Sequence, residues 1–338
     1  MAADERRELI QQSKATLDQY VRQHPQFSID SWQPEYRGGT NFVTFGHLGE
    51  QPVVFKYFVR TYRWAHECFC LRHFAETGYV PKILDVVPER LIVMTRLPAN
   101  NDDNAQLHLA ERQQISYQLG QAVATFVQWP LPTAENRPVC DSEFEQFAWR
   151  SDVGDLVRQC VTLCRQIQQA LPVYQIDLFT ESINLVEQQI DYIDQQPRLL
   201  FHEDIPNMCV YRGQFQGFYD LEMVRIGTEA LQLGVVVDLI KPHWQDEQWL
   251  VWPDFLQGYQ ATTGRSLDER AFAAILAMNH FYYHIRICRW GKWNGDPAQT
   301  ASLHFAKTMA PGYLKAIKTA CYNLRQWVDL KQWFPSLQ

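Results

Sequence analysis

Several features are missing from this sequence, and each absence excludes something. There is no run approaching the ~18 continuous apolar residues of a membrane span. The opening segment, MAADERRELIQQSK, is charged and lacks the apolar stretch of a secretory signal, so the protein is expected in the cytoplasm. A basic excess is lacking too: 31 Lys and Arg against 38 Asp and Glu leave a net charge of −7, which argues against a nucleic-acid partner. The eight cysteines (Cys68, Cys70, Cys140, Cys160, Cys164, Cys209, Cys288 and Cys321) contain no CxxC pair, so zinc-site spacing is absent and reduced, mostly buried thiols are expected. His280 and His284 stand one helical turn apart, but Phe281 occupies the place of the glutamate in an H-E-x-x-H site. No Walker A motif occurs, and there is neither an internal repeat nor a low-complexity tract.

What remains is an ordinary globular composition, 46% hydrophobic and 20% charged, in a chain of 338 residues, long enough for two lobes. The periodicity predicts a helix over 4–24, with Leu9, Ile10, Leu17, Tyr20 and Val21 on one side. Alternating β-formers over 41–58, interrupted at Gly49-Glu50, predict a hairpin. A helix follows at about 61–77, stopped by Gly78, and then two strands within 83–97 joined near Pro88-Glu89. Residues 98–104 are polar and read as a linker. Beyond them the chain turns helical, near 109–128, 142–149, 153–170 and 178–195, with a strand-rich island at 198–222 and a helical, tryptophan-rich last third. The expected fold class is therefore α+β and bilobal. Residues 1–97 form a β-rich lobe with one key helix, and 98–338 form a mainly helical lobe with a small β island.

Charged residues interrupt this pattern where apolar ones belong. Lys56 lies inside PVVFKYF; it must reach water from an edge strand, lose its charge or find a partner. Glu67 shares a helix face with Cys70, Leu71 and Phe74 and needs a cation, which Lys56 on the preceding strand could supply. Gly38-Gly39-Thr40-Asn41 enters the hairpin with a backbone able to approach phosphate oxygens, although a plain turn reads equally well. In RLLFHEDIPN, His202, Asp204 and Asn207 directly follow an apolar strand, and Asp220 ends another apolar run with Glu222 two residues on. Phosphoryl transfer needs such a set: one carboxylate for the acceptor hydroxyl, and a second carboxylate plus an amide oxygen for Mg²⁺. Singly these are turn residues; in this order, after a Lys and a Glu, they point to chemistry.

Together these residues resemble the aminoglycoside phosphotransferase and choline kinase family, which has the protein-kinase-like fold, over about 35–240. The resemblance makes Gly38-Gly39-Thr40-Asn41 the nucleotide-covering loop, Lys56 and Glu67 the phosphate-gripping pair, and Leu91–Leu97 the hinge, with Thr95 and Leu97 meeting adenine. His202-Glu203-Asp204 resembles the family's H-G-D, with Asp204 the catalytic base and His202 beside it orienting the loop. Phe218–Glu222 resembles I-D-F-E, which assigns Mg²⁺ to Asp220 and Asn207, with Glu222 either assisting the metal or bracing the loop. One departure is plain. The family has four residues between Asp and Asn, which would put Cys209 at the metal, and a thiol is a poor Mg²⁺ ligand. Either the loop is two residues shorter and Asn207 serves, which the flanking Asn207–Tyr211 text favours, or the ligand is lost; Glu203 in place of glycine adds a negative charge.

The resemblance implies an ATP- and Mg²⁺-dependent kinase for a hydroxyl of a small molecule such as an aminoglycoside, choline or a sugar. The alternative is a nucleotide-binding pseudokinase with a scaffold or regulatory role. A new helix begins at about Thr228, too soon after Asp220 for an activation segment, and there is no A-P-E, so a protein kinase is not expected. The aromatic stretch NHFYYHIRICRWGKW reads as core packing or as the wall of an acceptor pocket.

Overall fold

A computed structural model describes residues 3–31, 41–99, 107–138, 149, 151–205, 207–241, 249–290 and 310–330. Gly38, Gly39, Thr40, most of the expected linker and, apart from Trp149, the helix expected at 142–149 lie outside these residues. The first part is a five-stranded antiparallel sheet with spatial order β1-β2-β3-β5-β4: Phe27–Ser31, Asn41–Leu48, Gln51–Phe58, Leu91–Thr95 and Ile83–Val87. Helix α1 (Ala3–Gln23) packs on one face, where Leu17 and Tyr20 meet Phe27, Val53, Phe55, Leu91 and Val93. Helix α2 (Thr61–His73) lies on the other. Successive strand residues point to opposite faces, so Phe55 and Tyr57 bracket Lys56, which faces the α2 side with Phe58. The edge-strand reading of Lys56 is thereby excluded: β3 is the middle strand, and the lysine is 5% exposed.

One boundary and one strand in this part differ from the sequence expectation. Helix α2 stops at His73 rather than 77; a short 3-10 turn, Ala75–Thr77, carries the chain to Gly78, whose φ of 75° closes it. Strand β1 was not expected, being short and half polar.

The second part is mainly helical: α3 (Leu109–Gln128), α4 (Val153–Ala170), α5 (Asp177–Gln195), α6 (Glu229–Val237), α7 (Trp252–Thr263), α8 (Glu269–Trp290) and α9 (Ala310–Leu330). Its β island comprises β6 (Leu199–His202) paired antiparallel with β9 (Val224–Gly227), and a hairpin of β7 (Met208–Tyr211) and β8 (Gln214–Phe218). The hairpin turn, Arg212-Gly213, has both residues at positive φ, 49° and 70°, as a tight two-residue turn between twisted strands requires. Strand β9 extends the expected island past 222. Gly217 permits the two parts to meet: a Cβ there would lie 2.6 Å from the Tyr79 carbonyl, and the next amide, of Phe218, donates to that carbonyl at 2.7 Å. No helix among the described residues is long and apolar enough to cross a membrane.

Candidate active site

Strand β3 and helix α2 bring Lys56 and Glu67 together: Lys56 Nζ donates to Glu67 Oε2 at 2.5 Å with both side chains buried. The same ammonium donates to Asp220 Oδ1 from the far side of the cleft and stands 4.0 Å from Glu222 Oε2. Burial works against the ammonium, but the carboxylates of Asp220, Glu67 and Glu222 more than reverse it, so Lys56 stays charged above the ordinary lysine range. Burial pushes the Glu67 carboxyl up; Lys56 pulls it back, and the Asp220 and Glu222 charges push it up again. Asp220 goes the other way, its desolvation outweighed by Lys56.

Asp220 occupies a left-handed backbone conformation, φ 61° and ψ 54°, which is uncommon for a residue with a side chain. The loop around it is tied down: the Tyr219 amide donates to the Asn207 carbonyl at 2.9 Å, and the Asn207 amide closes a turn onto the Asp204 carbonyl at 2.8 Å. Asn207 Nδ2 donates to Asp220 Oδ2 at 3.2 Å. Asn207 therefore faces Asp220 despite the short loop. Cys209 lies instead in β7 opposite Gly217, its thiol raised to about 11 by burial, which Arg96 partly offsets.

Glu222 is engaged by basic and amide groups: it accepts from Arg63 Nη1 of α2 and from Asn41 Nδ2 at the start of β2. These contacts tie β2, β3 and α2 to the short turn after Asp220. The oxygens of Glu67, Asp220 and Glu222 lie within 4.8 Å of one another, an all-oxygen donor set suited to a hard cation. Asn207 turns its amide nitrogen toward Asp220, and Glu222 is already engaged by Arg63.

His202, at the end of β6, is fully buried. The Asp204 amide donates to its Nδ1 at 3.2 Å, so Nε2 carries the proton and donates to the Tyr219 carbonyl at 3.2 Å. Burial holds the ring neutral, with its pKa down at about 4. A neutral imidazole bonded on both sides braces the loop and has no proton to exchange near neutral pH. Asp204 Oδ1 accepts from Arg286 Nη2 at 2.9 Å and from the Tyr282 hydroxyl at 3.5 Å, both on α8. Burial raises the Asp204 carboxyl to about 6; Arg286 lowers it, while Glu203 and Asp220 raise it further. Glu203 is buried against Arg225 of β9, 3.2 Å away, whose guanidinium also lies 4.8 Å over the Phe201 ring. The extra carboxylate is thus matched by a cation.

In the segment expected to be the hinge, the Thr95 amide donates to the Lys82 carbonyl at 2.9 Å, and the Thr95 hydroxyl accepts from the Lys82 amide at 2.9 Å. Leu97 follows β5 and lies beside Gly217. Of the aromatic stretch, Phe281, Tyr282, Tyr283 and Ile287 are buried, and among the described residues the Tyr282 hydroxyl and Arg286 reach Asp204. His280 Nδ1 and His284 Nε2 share the Ser182 hydroxyl, at 2.6 and 2.8 Å. Arg63, Arg225 and Arg286 were missed by sequence reasoning. Arg63 carried a usable signal, standing one helical turn before Glu67 on the same face.

A sheet lobe and a helical lobe that close a lysine, two acidic residues and an asparagine between them define the protein-kinase-like class of phosphotransferases. The profile of the phosphotransferase enzyme family matches residues 35–275, and the chain belongs to that family, whose members are small-molecule kinases. A search of curated proteins finds no match. Among solved structures, the chain is similar to macrolide 2'-phosphotransferase MphH from Brachybacterium faecium (16% identity, 90% of this chain and 97% of that one, TM-score 0.58). It is also similar to the ADP-bound aminoglycoside phosphotransferase APH(2'')-Ib (13% identity, 89% and 96%, TM-score 0.56). A third is spectinomycin phosphotransferase APH(9)-Ia in complex with ADP and spectinomycin (13% identity, 88% and 92%, TM-score 0.53). At these identities the likeness establishes the fold.

Proposed function

We propose that the protein moves the γ-phosphate of ATP onto a hydroxyl of a small molecule, with residues 1–97 and 98–338 as its two lobes. The observation that carries this reading is Lys56 bridging Glu67 and Asp220, with Asn207 on the other oxygen of the same aspartate. Asp220 and Asn207 would hold Mg²⁺, which would neutralise phosphate charge as the bond breaks. Lys56 would exchange its bond to Asp220 for one to the nucleotide phosphates while Glu67 keeps it oriented. Adenine would rest at the hinge on Thr95 and Leu97; the Thr95 amide being spent, Thr95 would offer its carbonyl. Gly38, Gly39, Thr40 and Asn41 would cover the phosphates.

Asp204 would orient the acceptor hydroxyl and take its proton. Both contacts from α8 fall on Oδ1, leaving Oδ2 for the acceptor. Arg286 supplies positive charge where negative charge builds up during transfer. His202 holds the loop. The relatives named above are described as acting on aminoglycosides and a macrolide, or as binding spectinomycin, which supports a polyhydroxylated acceptor.

The test is ADP release from Mg²⁺-ATP across a panel of aminoglycosides, macrolides, amino alcohols and sugars. At least one acceptor should support turnover, and Asp204→Asn should lower it by at least about 10²-fold. Calorimetric ATP binding without transfer to any acceptor would instead support the pseudokinase reading. No binding at millimolar ATP would remove both.

A further inference from the structure

Away from the cleft, three thiols converge between two helices. Cys160 and Cys164 lie one turn apart on α4 and so share a face, and Cys288 meets them from α8. The Cys288 sulfur is 3.6 Å from that of Cys164 and 3.8 Å from that of Cys160, and all three lie within 4.8 Å of one another. Cys160 and Cys164 are 3% and 0% exposed, and Cys288 is half-buried as a residue while its sulfur is buried with theirs. Two thiols in contact need no explanation in a core. Three sulfurs on one point are less usual, because a sulfur is a weak hydrogen-bonding group and gains little from a second sulfur neighbour.

We propose that Cys160, Cys164 and Cys288 form a binding site for a soft, three-coordinate metal ion, which the geometry identifies as Cu(I). A metal–thiolate bond of about 2.3 Å sets three sulfurs in a plane about 4 Å apart. The observed separations of 3.6 and 3.8 Å need only a few tenths of an ångström of adjustment. Thiolates select soft ions such as Cu(I) and zinc over the hard cations that fit the cleft. Zinc in a closed site wants four ligands, and among the described residues no fourth histidine, cysteine or carboxylate joins this group. Burial holds the Cys160 and Cys164 thiols well above their ordinary range, so the site stands on the placement of its sulfurs rather than on their charge. Binding would release the thiol protons as the sulfurs take up the ion.

The site would pin α4 to α8. Residues 286 and 288 point to roughly opposite sides of a helix, so α8 presents Cys288 to the cluster on one side and Arg286 to Asp204 on the other.

The test is an anaerobic titration of the reduced full-length protein with Cu(I) against a chromophoric Cu(I) chelator, with circular dichroism melts of every variant. One Cu(I) per chain should be retained. Cys288→Ser and Cys164→Ser should each weaken retention by at least about 100-fold, whereas Cys321→Ser, away from the cluster, should not. X-ray absorption on the loaded wild-type protein should count three sulfurs, a measurement that stands even if a serine variant misfolds. Retention unchanged in Cys288→Ser, a two-sulfur shell, or zinc held more tightly than Cu(I) would overturn the assignment.

Discussion

The protein buries two groups of charges a short distance apart, and they are built differently. Across the cleft, Lys56 and Arg63 face three carboxylates, Glu67, Asp220 and Glu222, leaving one negative charge in excess. On the loop behind it, Glu203 has Arg225 and Asp204 has Arg286, one cation for each carboxylate. Burying charge is costly unless it is matched. The matched group can serve to fix a loop. The unmatched group spans β2, β3, α2 and the turn after β8, and its formal surplus of one carboxylate would suit a further cation. On the function proposed above, the difference would separate a part of the molecule that fixes a loop from a part that takes up Mg²⁺.

The sharpest way to break this comparison is to change the charge count in the cleft in both directions. Lys56→Met leaves two buried carboxylates, Glu67 and Glu222, and the part-exposed Asp220 with one guanidinium, and should cost about 3 kcal/mol, read as a fall in the denaturation midpoint, together with all turnover. Asp220→Asn removes the surplus. It should change stability by less than about 1 kcal/mol while lowering turnover on the order of 10²–10³-fold. If Asp220→Asn destabilised the fold as much as Lys56→Met, the cleft would hold no surplus and the distinction would fail.

The same contrast explains what could be read in the sequence. Lys56 and Glu67 were legible because each interrupts an apolar pattern that otherwise has a clear face, and a charge inside such a pattern demands a partner. Asp204, Asn207 and Asp220 were legible as an ordered set at strand ends. The facing of Asn207 and Asp220 was not fixed by spacing, because the choice between Asn207 and Cys209 depends on a turn closed by the Asn207 amide on the Asp204 carbonyl. Arg286 was hidden for a different reason. Helix α8 is buried nearly all round, so its sequence offers no polar face against which a cation would stand out. Strand β9 was hidden by its own Arg225, which is 1% exposed and breaks what would otherwise read as an apolar run. The end of α2 was overrun because the 3-10 turn after it keeps Phe74 on the buried face.

A smaller effect is expected from the matched pair. Arg225→Met leaves the Glu203 carboxylate buried without its cation, and Glu203→Gln leaves the guanidinium. A double-mutant cycle should give a coupling energy of about 1–3 kcal/mol, with the double variant more stable than the Arg225→Met single. Turnover of the folded double variant should stay within about tenfold of wild type, because the pair sits behind the reacting groups rather than among them. Additive losses would mean that the 3.2 Å approach contributes no interaction, and the loop would owe its position to its other bonds, those of His202 and Asn207 among them.

The smallest change separates Arg286 from the group it touches. Burial raises Asp204 to about 6 and Arg286 restrains that rise. A base must be ionised to act, so kcat/KM should fall about tenfold per pH unit below about pH 6. In Arg286→Gln the restraint is gone and the desolvation remains, so the carboxyl should rise further and the acid limb should move to higher pH by about one unit. Arg286→Lys keeps the charge and should leave the limb near its wild-type position. The height of the plateau should fall in both variants, since the fork of the guanidinium is lost, so the position of the limb is the decisive reading. A limb that stayed fixed in Arg286→Gln would show that the titrating group is not Asp204, and a limb that moved to lower pH would mean that Arg286 does not favour the ionised carboxylate at all.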